Sequence, residues 1–410
     1  MNSKPHLLFL CHRIPYPPNK GDKIRSYHLL RYLCDHYQVH LGAFVDDNAD
    51  WEYRPEVEAL CASCKLIGLP GLQAKIKSLK GLLTGQALSL PFYESREMQN
   101  WVDQTIAANS IDRAVIFSSV MGQFLLHRHL SNSTSSTDGE IHYSVMDCVD
   151  IDSDKWRQYS QQKPWPMSWL YRREANKLLA FEKEVLEEFD QCLFVSPTEA
   201  AAFRKMVPET YQDKIAHYCN GVDFHFFDPG KVNCNPYPQG KPVLLFTGAM
   251  DYWPNVDAVT WFAESVLPKL REQHDLVFYI VGRNPTPKVK KLAEREGVVV
   301  TGGVEDIRPY IRHADIAVAP MRIARGIQNK VLEAMAMARP VMVSSLGLEG
   351  LDVEVGEEVI LADTVEDYLE FVPMLLSDRG SNMGFIAREK VVRSYSWEAS
   401  LPKIGKLLAT

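Results

Sequence analysis

The run VTGGVEDIRPYIRHADIAVAPMRIARGIQNKVLEAMAMARPV, residues 300–341, decides the fold. Within it Ile316–Ala319 is a short apolar segment of the buried-strand kind. After a loop, apolar residues recur at helical spacing from about Gln328 to Met337. Val341–Ser344 then reads as the next strand. Strand, helix, strand in this order implies parallel pairing with a crossover helix. Working backwards, Val298–Thr301, Leu276–Val281 and Val243–Thr247 are further strands, with a helix expected from about Asn255 to Leu270.

The first half repeats the alternation. Strands are expected at Leu7–Cys11, Val39–Phe44, Ala114–Phe117, Ile141–Met146 and Cys192–Val195, with a helix from about Lys23 to Cys34. Between the halves lies DPGKVNCNPYPQGKP, residues 228–242, rich in Pro and Gly and without periodicity, which suits a linker. The expectation is an α/β protein of two parallel-sheet domains facing each other across a cleft, 1–227 and 243–394, joined by 228–242. No fixed-period repeat is visible, so a solenoid is disfavoured.

Composition narrows the function. The chain has 410 residues, 46% hydrophobic and 24% charged, which excludes a mostly disordered chain. A net charge of −7 argues against a nucleic-acid partner, which calls for a basic excess. The eight cysteines include one close pair, Cys61 and Cys64, without the second pair a four-ligand zinc site needs, so reduced, mostly buried thiols are expected. The apolar run Leu7–Cys11 is too short for a signal sequence, and no run approaches a membrane span. A cytoplasmic protein is expected.

Three loops sit where open α/β sheets bind ligands, between a strand's carboxyl end and the next helix. The first, Ala319–Glu333, passes Gly326 and enters a helix carrying Lys330 and Glu333. Free N–H groups there favour a diphosphate, Gly326 permits close approach, and Lys330 adds charge. Glu333 could accept bonds from sugar hydroxyls. A solvated Lys–Glu pair beside a plain turn is the bland alternative. The second, Arg13–Arg25, contains Gly21, with Asp22 as a plausible N-cap and Lys20, Lys23 and Arg25 as basic groups. Neither a P-loop nor G-x-G-x-x-G spacing is present. The third, Asp147–Asp154, offers Asp150, Asp152 and Asp154 for a D-x-D metal site, against the simpler expectation that they cap a helix.

Between Lys155 and Lys183 seven basic residues mix with Trp156, Trp165, Trp169, Tyr159 and Tyr171. That composition fits a membrane interface or lipid phosphate, or an ordinary packed helix. His12 and His28 lie near the second loop, and the twelve histidines show no metal spacing.

Together the motifs FTGAMDYWPNVDAVTWF (246–262), FYIVGRNP (278–285), VTGGVEDIRPYIRHADIAVAP (300–320) and RGIQNKVLEAMAMARPV (325–341) resemble the family-4-like glycosyltransferases of the GT-B fold. The stretch Asn220–Asp223 is similar to a turn these enzymes place before the interdomain crossing. HRIPYPPNKGDKIRSYHLLRYL (12–33) with FVDD (44–47) resembles a narrower group, sugar transferases associated with bacterial exopolysaccharide and exosortase (PEP-CTERM) gene clusters.

The resemblance implies a nucleotide-sugar donor on the second domain and a lipid-linked or oligosaccharide acceptor on the first, with transfer that retains configuration and needs no metal. Gly248 would face the donor phosphates, Arg283 the nucleotide, and the Val304–Asp306 turn the base. Gly326, Ile327 and Gln328 would offer N–H groups, Glu333 would bind ribose, and the Gly21 loop would close over the reaction centre. Lys330 would stabilise the leaving diphosphate, and Asp147 is the candidate to orient or deprotonate the acceptor hydroxyl. Tyr395–Trp397 and the helix after it, within 395–410, would cross back to the first domain. Peripheral contact with the inner membrane is a further implication.

Departures from the family pattern are specific. Arg325 replaces a Glu that contacts the transferred sugar, MDYWPN (250–255) lacks the usual basic pair, and Ser118 and Ser119 occupy a position often held by His. A nucleotide-sugar isomerase of the 2-epimerase type and a non-catalytic nucleotide-sugar-binding scaffold are therefore the alternatives.

Overall fold

The computed structural model describes residues 4–18, 21–69, 71, 77–126, 141–324 and 327–409. The chain divides into two compact units, Met1–Tyr218 with Leu401–Thr410, and Cys219–Ser400. Each is built on a parallel sheet, in the α/β layering expected.

The first unit holds seven strands: β1 His6–Cys11, β2 Gln38–Val45, β3 Ser63–Gly68, β4 Arg113–Phe117, β5 Tyr143–Val149, β6 Gln191–Phe194 and β7 Ile215–His217. Their order is β3-β2-β1-β4-β5-β6-β7. Strand β1 is covered on both faces, so Leu7, Leu8, Phe9, Leu10 and Cys11 have no exposed surface, and a continuous apolar run rather than an alternating one results. The chain winds outward from β1 in one direction and from β4 in the other. The gap between those strands is the topological switch point, where such sheets receive ligands.

The second unit carries β8 Val243–Thr247, β9 Val277–Val281, β10 Val298–Gly302, β11 Ile316–Ala319, β12 Val341–Val343 and β13 Ile360–Leu361. Their order, β10-β9-β8-β11-β12-β13, places its switch point between β8 and β11. The helix expected over 255–270 forms in three pieces: Trp253–Trp261, a π-helical turn over Phe262–Val266, and Leu267–Arg271. Pro268 is the physical reason, because it lacks an N–H for the α-helical ladder and the wider turn absorbs the gap.

The boundary differs from the expected linker. Residues 228–242 belong to the second unit, where Val232 and Tyr237 are buried in its core. The Tyr237 hydroxyl donates to the Tyr310 carbonyl at 2.7 Å, and its ring meets that of Tyr279 edge-on. Apolar anchors among the Pro and Gly residues hold this segment as a strap. The chain returns at Leu401, whose following helix, Pro402–Leu408, packs in the first unit, so Tyr395–Ser400 stay with the second.

No disulfide joins any of the eight cysteines, and only Cys11, Cys148 and Cys192 are buried, fewer than composition suggested. Among the described residues no helix is long and apolar enough to cross a membrane.

Candidate functional site

In the second unit glycines follow two neighbouring central strands. Gly248 follows β8 and Gly282 follows β9. A Cβ at Gly282 would lie 1.6 Å from the Gly248 carbonyl oxygen, so the two strand ends touch only because residue 282 has no side chain. A Cβ at Gly248, whose φ is +156°, would fall 2.7 Å from Asn255 Nδ2. That closeness lets Asn255 fold back, donating from Nδ2 to the Ala249 carbonyl at 2.9 Å.

Asn255 in turn holds Lys330. Helix Asn329–Ala336 begins after β11, and Lys330 Nζ donates to Asn255 Oδ1 at 2.6 Å. The ammonium also lies 4.3 Å from the centre of the Phe246 ring on β8 and 3.7 Å from Met321 Sδ beyond β11. It therefore spans the β8/β11 switch point, turned toward Asn255 and not into the simple pair with Glu333. Burial lowers Lys330 to about 7, against an opposing pull from Glu333. Burial likewise raises Glu333 to about 7, against Lys330. The pair stands where one added anion or hydroxyl ligand would reset both charges.

The other expected donor residues are placed around this centre unevenly. Arg283 is exposed after β9, with no acidic partner among the described residues, and its carbonyl accepts from the Met250 N–H at 2.8 Å. Ile327 and Gln328 directly precede the helix and are half-buried. The Asp306 carboxylate is taken by Arg308, whose Nη2 lies 2.7 Å from Oδ2, leaving only the backbone of that turn for a base. Gly326 and Arg325 lie outside the described residues, as does Lys20 in the first-unit loop.

The first unit departs more from expectation. Asp147 is fully buried at the end region of β5. Arg25, also fully buried, donates to both its oxygens, from Nε at 2.9 Å and Nη2 at 3.1 Å. The Tyr218 hydroxyl donates to Oδ2 and the Val149 N–H to Oδ1. Arg25 completes its fork on the Tyr218 carbonyl, 3.1 Å away, and stacks 3.5 Å from the centre of that ring. With both oxygens engaged and none facing solvent, the base role expected of Asp147 does not fit. It is a structural counter-ion.

Asp22 is likewise no N-cap. The helix begins at Gly21, which is exposed with open space around it, and Asp22 stands in the first turn. Its carboxylate takes Arg13 Nη1 at 2.7 Å and lies 3.4 Å from His12 Nε2. Burial pushes the Asp22 pKa up, but the bond to His12 and the charge of Arg13 outweigh it and lower it. In the D-x-D stretch, Lys155 pairs with Asp150 at 2.7 Å and Asp152 at 3.4 Å, and Arg157 pairs with Asp154 at 2.5 Å. Among the described residues no group of three potential ligands is placed to hold a metal ion. Helix capping here falls instead to buried glutamates, Glu199 on the Ile151 N–H and Glu182 on the Ser153 N–H.

One residue earns a place that sequence reasoning left generic. His12 follows β1, and its ring stacks parallel to Phe117 at the end of β4, with centroids 5.9 Å apart. It thus bridges the β1/β4 switch point. Its Nδ1 is buried without a hydrogen-bond partner among the described residues. The ends of the two following strands in the sheet are strained: Ser118, after β4, has φ +78° and the β-branched Val149, ending β5, φ +66°. Such conformations cost about 1–3 kcal/mol each and cluster at functional sites. Position after the central strand was the available signal.

Residues 241–378 match the family model described as glycosyl transferases group 1. The chain carries a glycosyl transferases group 1 domain. This is the enzyme class expected from the sequence. No curated protein sequence matches the chain. Among solved structures, the sucrose-phosphate synthase of Thermosynechococcus elongatus is similar with a TM-score of 0.68 and 18% identity, over 99% of this chain and 98% of that one. A glycosyltransferase from Rickettsia africae gives 0.65 and 15%, over 99% and 98%. HepE of Anabaena in complex with UDP gives 0.65 and 13%, over 99% of both chains, and the same protein is also known with UDP-glucose. At such identities the likeness is one of fold, and the fold is GT-B.

Proposed function

We propose that the protein transfers a sugar from a nucleotide diphosphate to a lipid-linked saccharide acceptor during exopolysaccharide assembly at the inner face of the cytoplasmic membrane. The observation that carries the donor part is the Lys330–Asn255 contact at the β8/β11 switch point, above the close-packed Gly248 and Gly282. A diphosphate there meets a helix start and a cation already anchored. Glu333, one turn deeper, is suited to ribose hydroxyls. The UDP and UDP-glucose complexes of the Anabaena relative support the ligand class. The acceptor class rests on the resemblance of residues 12–33 and 44–47.

In the proposed step the bond from the sugar's anomeric carbon to the diphosphate oxygen breaks. The acceptor oxygen bonds that carbon on the same face, and its proton passes to the leaving phosphate oxygen. Retention and metal independence follow the family resemblance. Lys330, Ile327 and Gln328 would stabilise the departing charge, and Arg283 would meet the nucleotide. His12 would orient the acceptor hydroxyl in place of Asp147.

The test is calorimetric binding of UDP-, GDP- and ADP-sugars in EDTA and in Mn²⁺. Binding in EDTA, weakened by about 1–3 kcal/mol in Glu333→Ala, is expected. Equal affinity in both proteins removes Glu333 from the site, and binding that requires Mn²⁺ overturns the metal-free mechanism. Donor binding with no transfer to any acceptor would favour the scaffold alternative; an altered sugar released with free nucleotide would favour the epimerase.

A further inference from the structure

The aromatic and basic stretch after Lys155 separates into two groups. Trp156, Tyr159 and Tyr171 form one cluster, with Trp156 and Tyr171 ring centroids 5.1 Å apart, and tie helix Asp152–Gln162 to helix Met167–Glu188. That group is packing. Trp165 and Trp169 are different: they stand 80% and 57% exposed, beside an exposed Met167.

A second exposed apolar segment lies against the same helix. Leu83 is 92% exposed and Leu79 55%, with Leu82 also exposed, around helix Lys80–Thr84. Arg173 fastens this segment, donating from Nη2 to the Gly81 carbonyl at 2.6 Å and the Gln86 carbonyl at 3.1 Å. Glu174 accepts from the Leu88 N–H at 2.7 Å. Trp169 is one turn before Arg173 and so on the same helix face. These contacts lay the leucine segment along the helix that carries Trp169 in its first turn.

Charge indicates what covers them. Residues 155–173 contain five basic residues and no acidic one, and residues 77–93 contain two lysines and no acidic one. Lys155 and Arg157 are paired with aspartates. Lys80, Lys163, Arg172 and Lys177 are exposed and have no acidic partner among the described residues. In a chain of net charge −7 this is a local cationic rim around an apolar patch. Exposed tryptophans and leucines together with exposed Lys and Arg that have no acidic partner among the described residues match the headgroup region of a bilayer carrying anionic lipid. A protein partner of ordinary surface would leave that rim uncompensated.

We infer that Leu79, Leu82, Leu83, Trp165 and Trp169, ringed by Lys80, Lys163, Arg172 and Lys177, form a docking surface for an anionic lipid bilayer. The inference deepens the lipid-linked acceptor reading and rests on it for its biological sense. The surface inserts shallowly: the apolar side chains enter the acyl boundary while the cations stay with the phosphates.

Flotation of the full chain with phosphatidylcholine vesicles, with and without phosphatidylglycerol, tests it. The protein should float with the anionic vesicles at low salt and less with neutral ones. Trp165→Ala combined with Trp169→Ala should lower the bound fraction about tenfold or more, with an unchanged melting temperature because both side chains are exposed. Lys163→Glu with Arg172→Glu should weaken only the anionic-lipid, salt-sensitive part. A wild-type protein that stays with the soluble fraction at low salt overturns the inference, as does a tryptophan variant that floats like wild type. Concentration-dependent self-association, abolished by the tryptophan changes, without vesicle binding would assign the patch to a second copy instead. Calorimetry with the sugar-nucleotide panel on the same sample separates the two claims. Lost flotation with intact donor binding sinks the surface alone, and the converse sinks the transferase reading alone.

Discussion

Lys330 Nζ lies 2.6 Å from Asn255 Oδ1, and the Asn255 amide is fixed by the Ala249 carbonyl. The loop after β8 therefore aims a cation carried by the helix after β11. Asn255 is already half-way through its own hydrogen-bonding capacity before any ligand arrives, so its carbonyl has one task.

Removing that task should be visible in binding. Asn255→Leu keeps the branched shape but leaves Lys330 without its acceptor, and the ammonium is free to swing away from the diphosphate position. Donor affinity should fall by about 1–3 kcal/mol, together with a lower melting temperature, because Asn255 is buried and the Ala249 carbonyl also loses its donor. Isothermal calorimetry against the tightest-binding sugar nucleotide measures the loss, and an unchanged affinity removes the relay from Asn255 to the donor.

The paired displacement of Lys330 and Glu333 toward about 7 makes binding proton-linked with a change of sign. Above pH 7 the free Lys330 is mostly neutral, and a diphosphate favours its charged form, so binding takes up a proton. Below pH 7 the free Glu333 is mostly protonated, and ribose hydroxyls donating to it favour the carboxylate, so binding releases one. Calorimetry at pH 6 and pH 8, in buffers of different ionisation enthalpy, should show release at the lower pH and uptake at the higher. Lys330→Met should abolish the uptake and Glu333→Gln the release. Proton exchange of one sign at both values contradicts the assignment.

What could be seen in the sequence was local. Val243–Thr247 and Ile316–Ala319 have the same limits in the sequence and in the structure, because a short buried strand is written in consecutive residues. The edge strands Ser63–Gly68, Ile215–His217 and Ile360–Leu361 escaped notice: the first carries Lys65 on a half-exposed face and the others are three and two residues long. In the second unit the positions of the candidate loops were legible, because each follows a strand. Its Asn255–Lys330 link was not, since those residues are 75 apart in the chain. The surroundings of Asp147 are hidden for the same reason. Its partners Arg25 and Tyr218 are 122 and 71 residues away, and a strand-end aspartate looks the same in sequence whether it faces solvent or a buried guanidinium.

The buried Arg25–Asp147 pair gives a stability prediction. Asp147→Asn leaves the guanidinium without its counter-charge in a fully buried position, which costs about 3–5 kcal/mol. For a unit of this size the melting transition should fall by roughly 10 °C. Replacing both partners, Arg25→Met with Asp147→Leu, should recover part of the loss because no charge is then stranded. Thermal unfolding of the three proteins checks this. If the double variant is no more stable than the single one, the pair is not the unit that matters.

His12 provides the last and most direct test of the first unit. Its ring is held between Phe117 and Tyr93, and Asp22 fixes one nitrogen while the other has no partner among the described residues. A buried acceptor or donor of this kind carries a cost unless a ligand meets it. The β1/β4 switch point is where that ligand would arrive. His12→Phe keeps the stacking and removes both nitrogens. It should raise the acceptor KM by about one to two orders of magnitude, the equivalent of a lost hydrogen bond of about 1–3 kcal/mol, while donor affinity stays unchanged because the donor residues lie in the other unit. Asp22→Asn should give a smaller effect of the same kind, since it alters the orientation of the ring and not its presence. Steady-state kinetics at varied acceptor and fixed donor separates these outcomes. An equal loss of donor affinity in His12→Phe would place His12 with the donor, and no change in either constant would leave it as a stacked core residue.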